Sequence, residues 1–264
     1  MMPDYKNWVP KSMVIGLWAG TALAFVLFLL LGATGLVLGG TARLICGIIL
    51  GVGTLVLLFF AVWMNALHRT FDYNGKRKLA KTIIAGTAGY VTLPESGIGL
   101  DVGCGSGALT IACAKRNPSA EMVGCDIWSG AYKAVFTQKV CEANAKAEGV
   151  SNARFREGNA LKLPFADESF DAVTSNYVYH NITGHDKQML LMETLRVLKK
   201  GGTFAIHDLM GPARYGDMAA FVRKLKEQGY EDVRLIDTTD GMFMGKKEAA
   251  WLGLGGSALL VGRK

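Results

Sequence analysis

Paired cysteines, a zinc-ligand cluster, a serine triad, a phosphate-binding lysine loop, internal repeats and low-complexity tracts are all missing from this chain of 264 residues. Its five cysteines are Cys46, Cys104, Cys113, Cys125 and Cys141; none lies in a C-x-x-C pair, and the count is odd. That excludes a disulfide framework and a structural zinc site, and it fits a reducing compartment. Cys113 and Cys141 read as helix-packing residues. Charge is missing too, from two long stretches. Ser12–Leu38 and Leu44–Leu67 contain no Asp, Glu, Lys or Arg.

Those two stretches hold most of the apolar excess of a chain that is half hydrophobic, with a mean hydropathy of +0.25. Each exceeds the roughly 20 apolar residues that cross a hydrocarbon core. Joined by a short turn around Arg43, they predict a two-helix transmembrane hairpin with helices at about 12–38 and 44–67. Trp8, Trp18 and Trp63 are candidate interface anchors. The first stretch is too long for a signal peptide, and a second follows at once. A buried soluble hairpin and one that inserts without crossing are the competing readings. The net charge is +7, and Arg69, Lys76, Arg77, Lys78 and Lys81 follow the second stretch directly. Basic residues there predict a membrane flank rather than a nucleic-acid partner. With Lys6 and Lys11 before the first helix, they predict a multi-pass protein with both termini and the catalytic domain in the cytoplasm. Gly16-x-x-x-Gly20, Gly35-x-x-x-Gly39 and Gly47-x-x-x-Gly51 can pack the two helices together or build a homodimer.

Residues 68–97 read as a basic juxtamembrane linker with one amphipathic helix near Gly75–Tyr90. Residues 98–264 then alternate. Strands are expected at Gly97–Val102, Glu121–Asp126, Ala153–Glu157, Phe170–Ser175 and Thr203–His207, with helices at Ala108–Arg116, Ser129–Glu148 and Asp186–Leu198. A helix at Met218–Gln228 and strands at Asp232–Asp237 and Ser257–Gly262 complete the chain. This pattern predicts an α/β domain with a doubly wound parallel sheet, preceded by the hairpin.

The stretch "GLDVGCGSGALTIA" (Gly99–Ala112) sits between the first strand and its helix. Gly103, Gly105, Gly107 and Ala108 satisfy a loose dinucleotide pattern, and Asp126 lies at the distance expected of a ribose-binding acid. Asp101, at the mouth of the same loop, decides against a pyrophosphate, which its carboxylate would repel. It suits a ligand with ammonium and sulfonium charges and no phosphate: S-adenosylmethionine. Asp126 is expected to accept from the ribose hydroxyls, and either Ile127 or Trp128 to cover the adenine. Simple packing is the alternative for Trp128.

"LDVGCGSGALTIA", "VGCDIW", "EGNALKLPFADESFDAV" and "RVLKKGGTFAIHDL" resemble successive motifs of the class I S-adenosylmethionine-dependent methyltransferases, in the branch of the ubiquinone and menaquinone C-methyltransferases. The resemblance covers roughly residues 75–264. It implies a Rossmann-like seven-stranded sheet with an antiparallel last strand, and a cofactor held by Asp101, Gly103, Cys104, Gly105, Gly107, Asp126, Ile127, Asn159, Ala160 and Asn176. The chain departs at Asn159-Ala160, where an Asp-Ala pair is common. An amide oxygen can still accept from the adenine amino group. The hairpin is the second departure.

Methyl transfer needs alignment, and a base only if the acceptor arrives protonated. "SNYVYHNI" after the fourth strand supplies Tyr177, Tyr179 and His180 as candidate catalytic residues. His180 is either a base, since imidazole titrates near neutral pH, or a ligand of a loop carbonyl. His207 and Asp208 form either a base–orienter pair or a structural pair. Met242, Phe243, Met244 and Trp251 are expected to rest on a membrane, close the acceptor pocket or pack on the sheet. The resulting expectation is a membrane-anchored methyltransferase acting on a small lipophilic acceptor: a quinone precursor, lipid, phenol or thiol. A non-catalytic cofactor-binding scaffold and a nicotinamide oxidoreductase are the competing functions.

Overall fold

The structure, a computed structural model, describes residues 2–128 and 135–264. It divides into two compact units, Asn7–Ala80 and Met1–Lys6 together with Lys81–Lys264. The residues before Asn7 therefore fold with the sheet, and the units do not part at the boundary expected near residue 67.

The first unit is a helical pair. Helix α1 (Lys11–Leu27) runs on into a wider π-helical turn, Phe28–Ala33, and α2 spans Gly40–Phe71. The helices meet where glycine lets them. A Cβ on Gly32 would overlap Gly47 Cα, and one on Gly51 would press on the Phe28 ring at 3.3 Å. Gly16, Gly20 and Gly39 face open space, so the seam uses Gly47 and Gly51 but not the other expected spacings. Arg43 closes the turn by donating to the carbonyls of Gly32 (3.0 Å) and Ala33 (2.5 Å). These are carbonyls that a helix end leaves without partners. At the other end, Asn7 Nδ2 donates to His68 O, and His68 Nδ1 lies 2.7 Å from Val9 O.

The second unit is built on one sheet of seven strands: β1 (Ile98–Val102), β2 (Glu121–Asp126), β3 (Ala153–Glu157), β4 (Phe170–Asn176), β5 (Leu198–Leu209), β6 (Glu231–Asp237) and β7 (Ser257–Arg263). Their order is β3-β2-β1-β4-β5-β7-β6, with β7 antiparallel to both neighbours. β1, β4 and the second half of β5 are buried along nearly their whole length, as expected of parallel strands covered on both faces. Helices α3 (Leu79–Ala88), α4 (Ala108–Arg116), α5 (Gln138–Ala147), α6 (Lys187–Arg196), α7 (Pro212–Tyr215), α8 (Met218–Glu227) and α9 (Lys246–Trp251) complete the chain. Three begin on side-chain caps: Thr137, Asp186 and Asp217 accept from backbone N–H groups of α5, α6 and α8, satisfying donors that a helix start leaves free.

Most expected strands and helices occur within a residue or two of their expected bounds. α3 is shorter than the expected Gly75–Tyr90. α5 is shorter than Ser129–Glu148, of which residues 129–134 lie outside the described ones. β5 starts five residues earlier than expected: Leu198 pairs with Phe170 before a register shift, and the strand runs through Lys199–Gly202. β1 lies between β2 and β4 and is parallel to both, so the strand order reverses there while the strand direction does not, and a crevice opens at the strands' carboxyl ends.

Candidate active site

Three glycines follow β1 with positive φ: Gly103 at 73°, Gly105 at 55° and Gly107 at 83°. They have different neighbours. A Cβ on Gly103 would overlap Val178, and one on Gly107 would stand 2.9 Å from the Phe155 ring. A Cβ on Gly105 would meet nothing within 4 Å. Two of the glycines thus permit close packing, and the middle one leaves room above the loop. Cys104 N–H and Gly103 N–H both donate to Cys125 O, tying the loop to β2.

Asp101 is 1 % exposed and accepts from Thr110 Oγ1 at 2.6 Å. Burial pushes its carboxyl up to about 7, against the hydrogen bonds from Thr110. Asp126 ends β2, where Oδ2 accepts from Gly105 N–H at 2.9 Å and Oδ1 from Trp128 N–H at 2.8 Å. The Trp128 indole donates to Gly105 O at 3.0 Å, whereas Ile127 is exposed. Gly158 N–H donates to Asp126 O, which brings the end of β3 to the same place. Asn159 there is exposed, its Oδ1 accepting from Leu161 N–H, and Ala160 is buried. A buried acid, a left-handed glycine loop with open space over Gly105 and a second acid at the next strand end suit an adenosyl sulfonium ligand. Residues 103–107 include no lysine.

The β4–β5 pairing sets Asn176 against His207. His207 is wholly buried; its Nδ1 lies 2.8 Å from Asn176 Oδ1 and its Nε2 2.9 Å from Thr238 Oγ1. Burial outweighs the nearby Asp208 and takes its pKa down to about 4, so the ring is neutral. Asp208 projects to the other face of the strand, as alternation requires. The pair in space is therefore His180 with Asp208, and the expected His207–Asp208 pairing does not occur.

Asp208 is fully buried and surrounded by donors. Oδ2 accepts from Tyr179 N–H (2.8 Å), His180 N–H (3.2 Å) and Tyr215 OH (2.9 Å). Oδ1 accepts from His180 Nδ1 (2.5 Å) and Leu209 N–H (2.7 Å). Burial works to raise its pKa, but the hydrogen bond from His180 and the other donors hold it below the usual carboxylate range. An ionised carboxylate only accepts, so His180 carries its proton on Nδ1, and Nε2 is left as the basic nitrogen.

Tyr177 follows β4 at φ +55°, a conformation non-glycine residues seldom adopt. Its ring lies 4.7 Å from that of His207 and 5.9 Å from that of His180. Ser257 Oγ already donates to Leu254 O, so the 2.7 Å bond to Tyr177 is donated by the phenol. Tyr179 is different. It is 0 % exposed, shares a 2.6 Å bond with Thr194 Oγ1 and belongs to the hydrophobic core under α6. The structure thus groups Tyr177 and His180 and sends Tyr179 into the core, because the 3₁₀ turn Tyr179–Asn181 directs adjacent side chains apart. Phe243 and Met244 are buried as well; the Phe243 ring packs on His207 at 5.4 Å and occupies the space beside Gly86.

Comparison with known proteins agrees with this geometry. Residues 100–206 match the methyltransferase-domain family. The chain is 29 % identical over 202 residues to a demethylmenaquinone methyltransferase of Roseiflexus castenholzii, covering 67 % of this chain and 80 % of the relative. It is 32 % identical over 177 residues to that of Bacillus subtilis strain 168, covering 63 % and 72 %. Among solved structures, the [4+2]-cyclase SpnF superposes with a TM-score of 0.52 at 20 % identity, over 73 % of this chain and 85 % of that one. A geranyl diphosphate methyltransferase in complex with GPP and sinefungin superposes with a TM-score of 0.50 at 14 % identity, over 74 % and 85 %. The chain belongs to the class I S-adenosylmethionine-dependent methyltransferases. Its cofactor is S-adenosylmethionine, and the nicotinamide and non-catalytic readings fall away.

Proposed function

We propose that this protein is a membrane-anchored methyltransferase whose acceptor is a small lipophilic molecule of the quinol class. The observation that carries the reading is the union, in one chain, of a methyltransferase domain related to demethylmenaquinone methyltransferases and two helices, Lys11–Ala33 and Gly40–Phe71, long and apolar enough to span a bilayer. Leu23, Ile49 and Leu55 are each more than 60 % exposed, which water disfavours and lipid does not. Residues 4–6 precede the helical pair yet fold with the domain that follows it, which supports an even number of crossings. The basic cluster after α2 favours the cytoplasmic side.

Asp101 and the Gly103–Gly107 loop, with Cys104, would hold the methionine part of the cofactor together with Asn176. Asp126 would take the ribose, and Ile127, Asn159 and Ala160 the adenine. S-adenosylmethionine supplies, when bound, a methyl group activated by its sulfonium. The Tyr177 ring lines the acceptor side, and its phenol stays protonated because burial raises its pKa. His180 accepts the acceptor's proton at Nε2, while Asp208 holds Nδ1–H and stabilises the imidazolium that forms. The side chain of His180 is 19 % exposed and that of Asp208 is not exposed at all, so the acceptor meets the imidazole and not the acid.

The test is direct. Full-length protein in detergent, given methyl-labelled S-adenosylmethionine and reduced membrane lipid extract, is expected to label a quinol-sized apolar product by mass spectrometry. Label that appears only in a water-soluble thiol would overturn the acceptor class.

A further inference from the structure

Residues 4–6 do more than lead into the first helix. Tyr5 is 5 % exposed, and its hydroxyl donates to Glu148 Oε1 at 3.1 Å; Glu148 in turn pairs with Lys115 of α4. Asp4 N–H donates to Asn144 Oδ1 at 2.7 Å, and Asn144 Nδ2 donates back to Asp4 O at 3.0 Å. The amide of Asn144 thus pairs with the main chain of residue 4 as a neighbouring strand would. The Asp4 carboxylate turns away, accepting from Lys6 N–H at 3.1 Å and pairing with Lys6 Nζ.

The same Nδ2 has a second hydrogen, and it goes to Ser106 O at 3.0 Å. Ser106 is the residue between Gly105 and Gly107 and is 6 % exposed. Asn144 is 3 % exposed, on the face of α5 that also buries Cys141 and Ala145. Cys141 Sγ reaches the neighbouring Gly105 O at 3.1 Å. Two consecutive carbonyls of the cofactor loop are therefore held from behind by α5. Only an amide supplies one acceptor and two donors from so small a group.

We propose that Asn144 is a positioning residue that sets the glycine loop for S-adenosylmethionine, with residues 4 and 5 as its clamp, so that cofactor affinity depends on a segment lying before the apolar helices. The physical basis is preorganisation. Without the Nδ2 donor, Ser106 O is left buried and unpaired, which costs free energy unless the loop shifts. A loop that shifts must be reset on binding, and the cofactor affinity falls by that amount.

Calorimetric titration of the full-length protein in detergent with S-adenosylhomocysteine tests this. Asn144→Asp keeps the shape and the acceptor but loses both donors and sets a carboxylate against two carbonyls; its Kd is expected to rise at least tenfold. Asp4→Pro removes the clamp's N–H donor without altering any residue of the sheet or its helices and is expected to raise Kd several-fold. Asp4→Ala keeps that donor and is expected to bind like the parent. Thermal denaturation of the same samples separates positioning from plain stability. A Kd within twofold of the parent for both Asn144→Asp and Asp4→Pro, with or without a lower Tm, overturns the proposal. A rise confined to Asn144→Asp removes the clamp and keeps the positioning residue. If Asn144→Asp does not fold, Asp4→Pro against Asp4→Ala decides alone. Failure of the parent itself to bind would instead strike at the cofactor assignment.

Discussion

Asp101 and Asp208 are both buried carboxyls in neighbouring regions of one sheet, and their partners drive their acidities apart. Asp101 receives one hydroxyl, and burial wins, pushing it up to about 7. Asp208 receives five donors, one of them an imidazole, and is held low. Linkage gives each a sign. Between pH 3.8 and about 7 the folded chain keeps a proton on Asp101 that the unfolded chain has released, so this group's contribution to stability falls as pH rises. Asp208 contributes stability above pH 3.8 that is lost as pH falls through its lowered value. Cationic ligand groups favour ionised Asp101. Cofactor affinity is therefore expected to rise with pH by up to about tenfold per unit below 7 and then level off, and Asp101→Asn is expected to remove that slope; calorimetry between pH 5.5 and 8.5 checks both. For a protonated acceptor, His180→Ala is expected to lower turnover by about 10²-fold while leaving the cofactor Kd within twofold. Asp208→Asn keeps one accepting oxygen but sets an NH2 against two or three of the five donors, and is expected to lower both turnover and Tm.

At the scale of elements, the helical pair and the strand ends each show how one position differs from its neighbour. Glycines recur along both helices, but among them only Gly32, Gly47 and Gly51 lie too close to the other helix for a Cβ to fit without contact. In detergent, Gly32→Leu is expected to lower the Tm of the apolar unit or expose it to protease, and Gly20→Leu to change neither. Equal effects would mean that the seam lies elsewhere. β5 makes the same point with chemistry. His207 and Asp208 are neighbours in sequence, yet alternation gives the first a neutral structural role among Asn176 and Thr238 and gives the second to His180. A reading that used strand alternation at positions 207 and 208 would have separated them. Asn144 carried a fainter signal: a polar side chain on the same helical stripe as Cys141 and Ala145.

For the whole molecule, the chain joins a sheet of ordinary methyltransferase order to a pair of helices whose outer residues are apolar. On the proposed membrane reading, full-length protein is expected to stay with membranes through an alkaline carbonate wash. A chain beginning at Phe71 is expected in the supernatant, still binding the cofactor but less tightly, since it lacks the clamp on Asn144. Retention of the shortened chain in the pellet as aggregate would show that the apolar pair is part of the domain's fold.

The cofactor loop was legible in the sequence because its chemistry is local: strand, glycine turn and helix start lie within fourteen consecutive residues, and glycine is the residue that tolerates positive φ. The two apolar helices were legible for the same reason, as uninterrupted runs without charge. The His180–Asp208 pairing on which the proposed base rests was not. His180 and Asp208 are 28 residues apart and meet because β4 and β5 are neighbours in the sheet and their ends face one crevice. Tyr179 belongs to the core and Tyr177 to the candidate site because Tyr179 opens a 3₁₀ turn while Tyr177 precedes it at positive φ. Residue 4 reaches Asn144 across 140 residues. Contacts of that range are set by sheet order, side-chain alternation and the need to pair buried amides, and those exist only once the chain has folded.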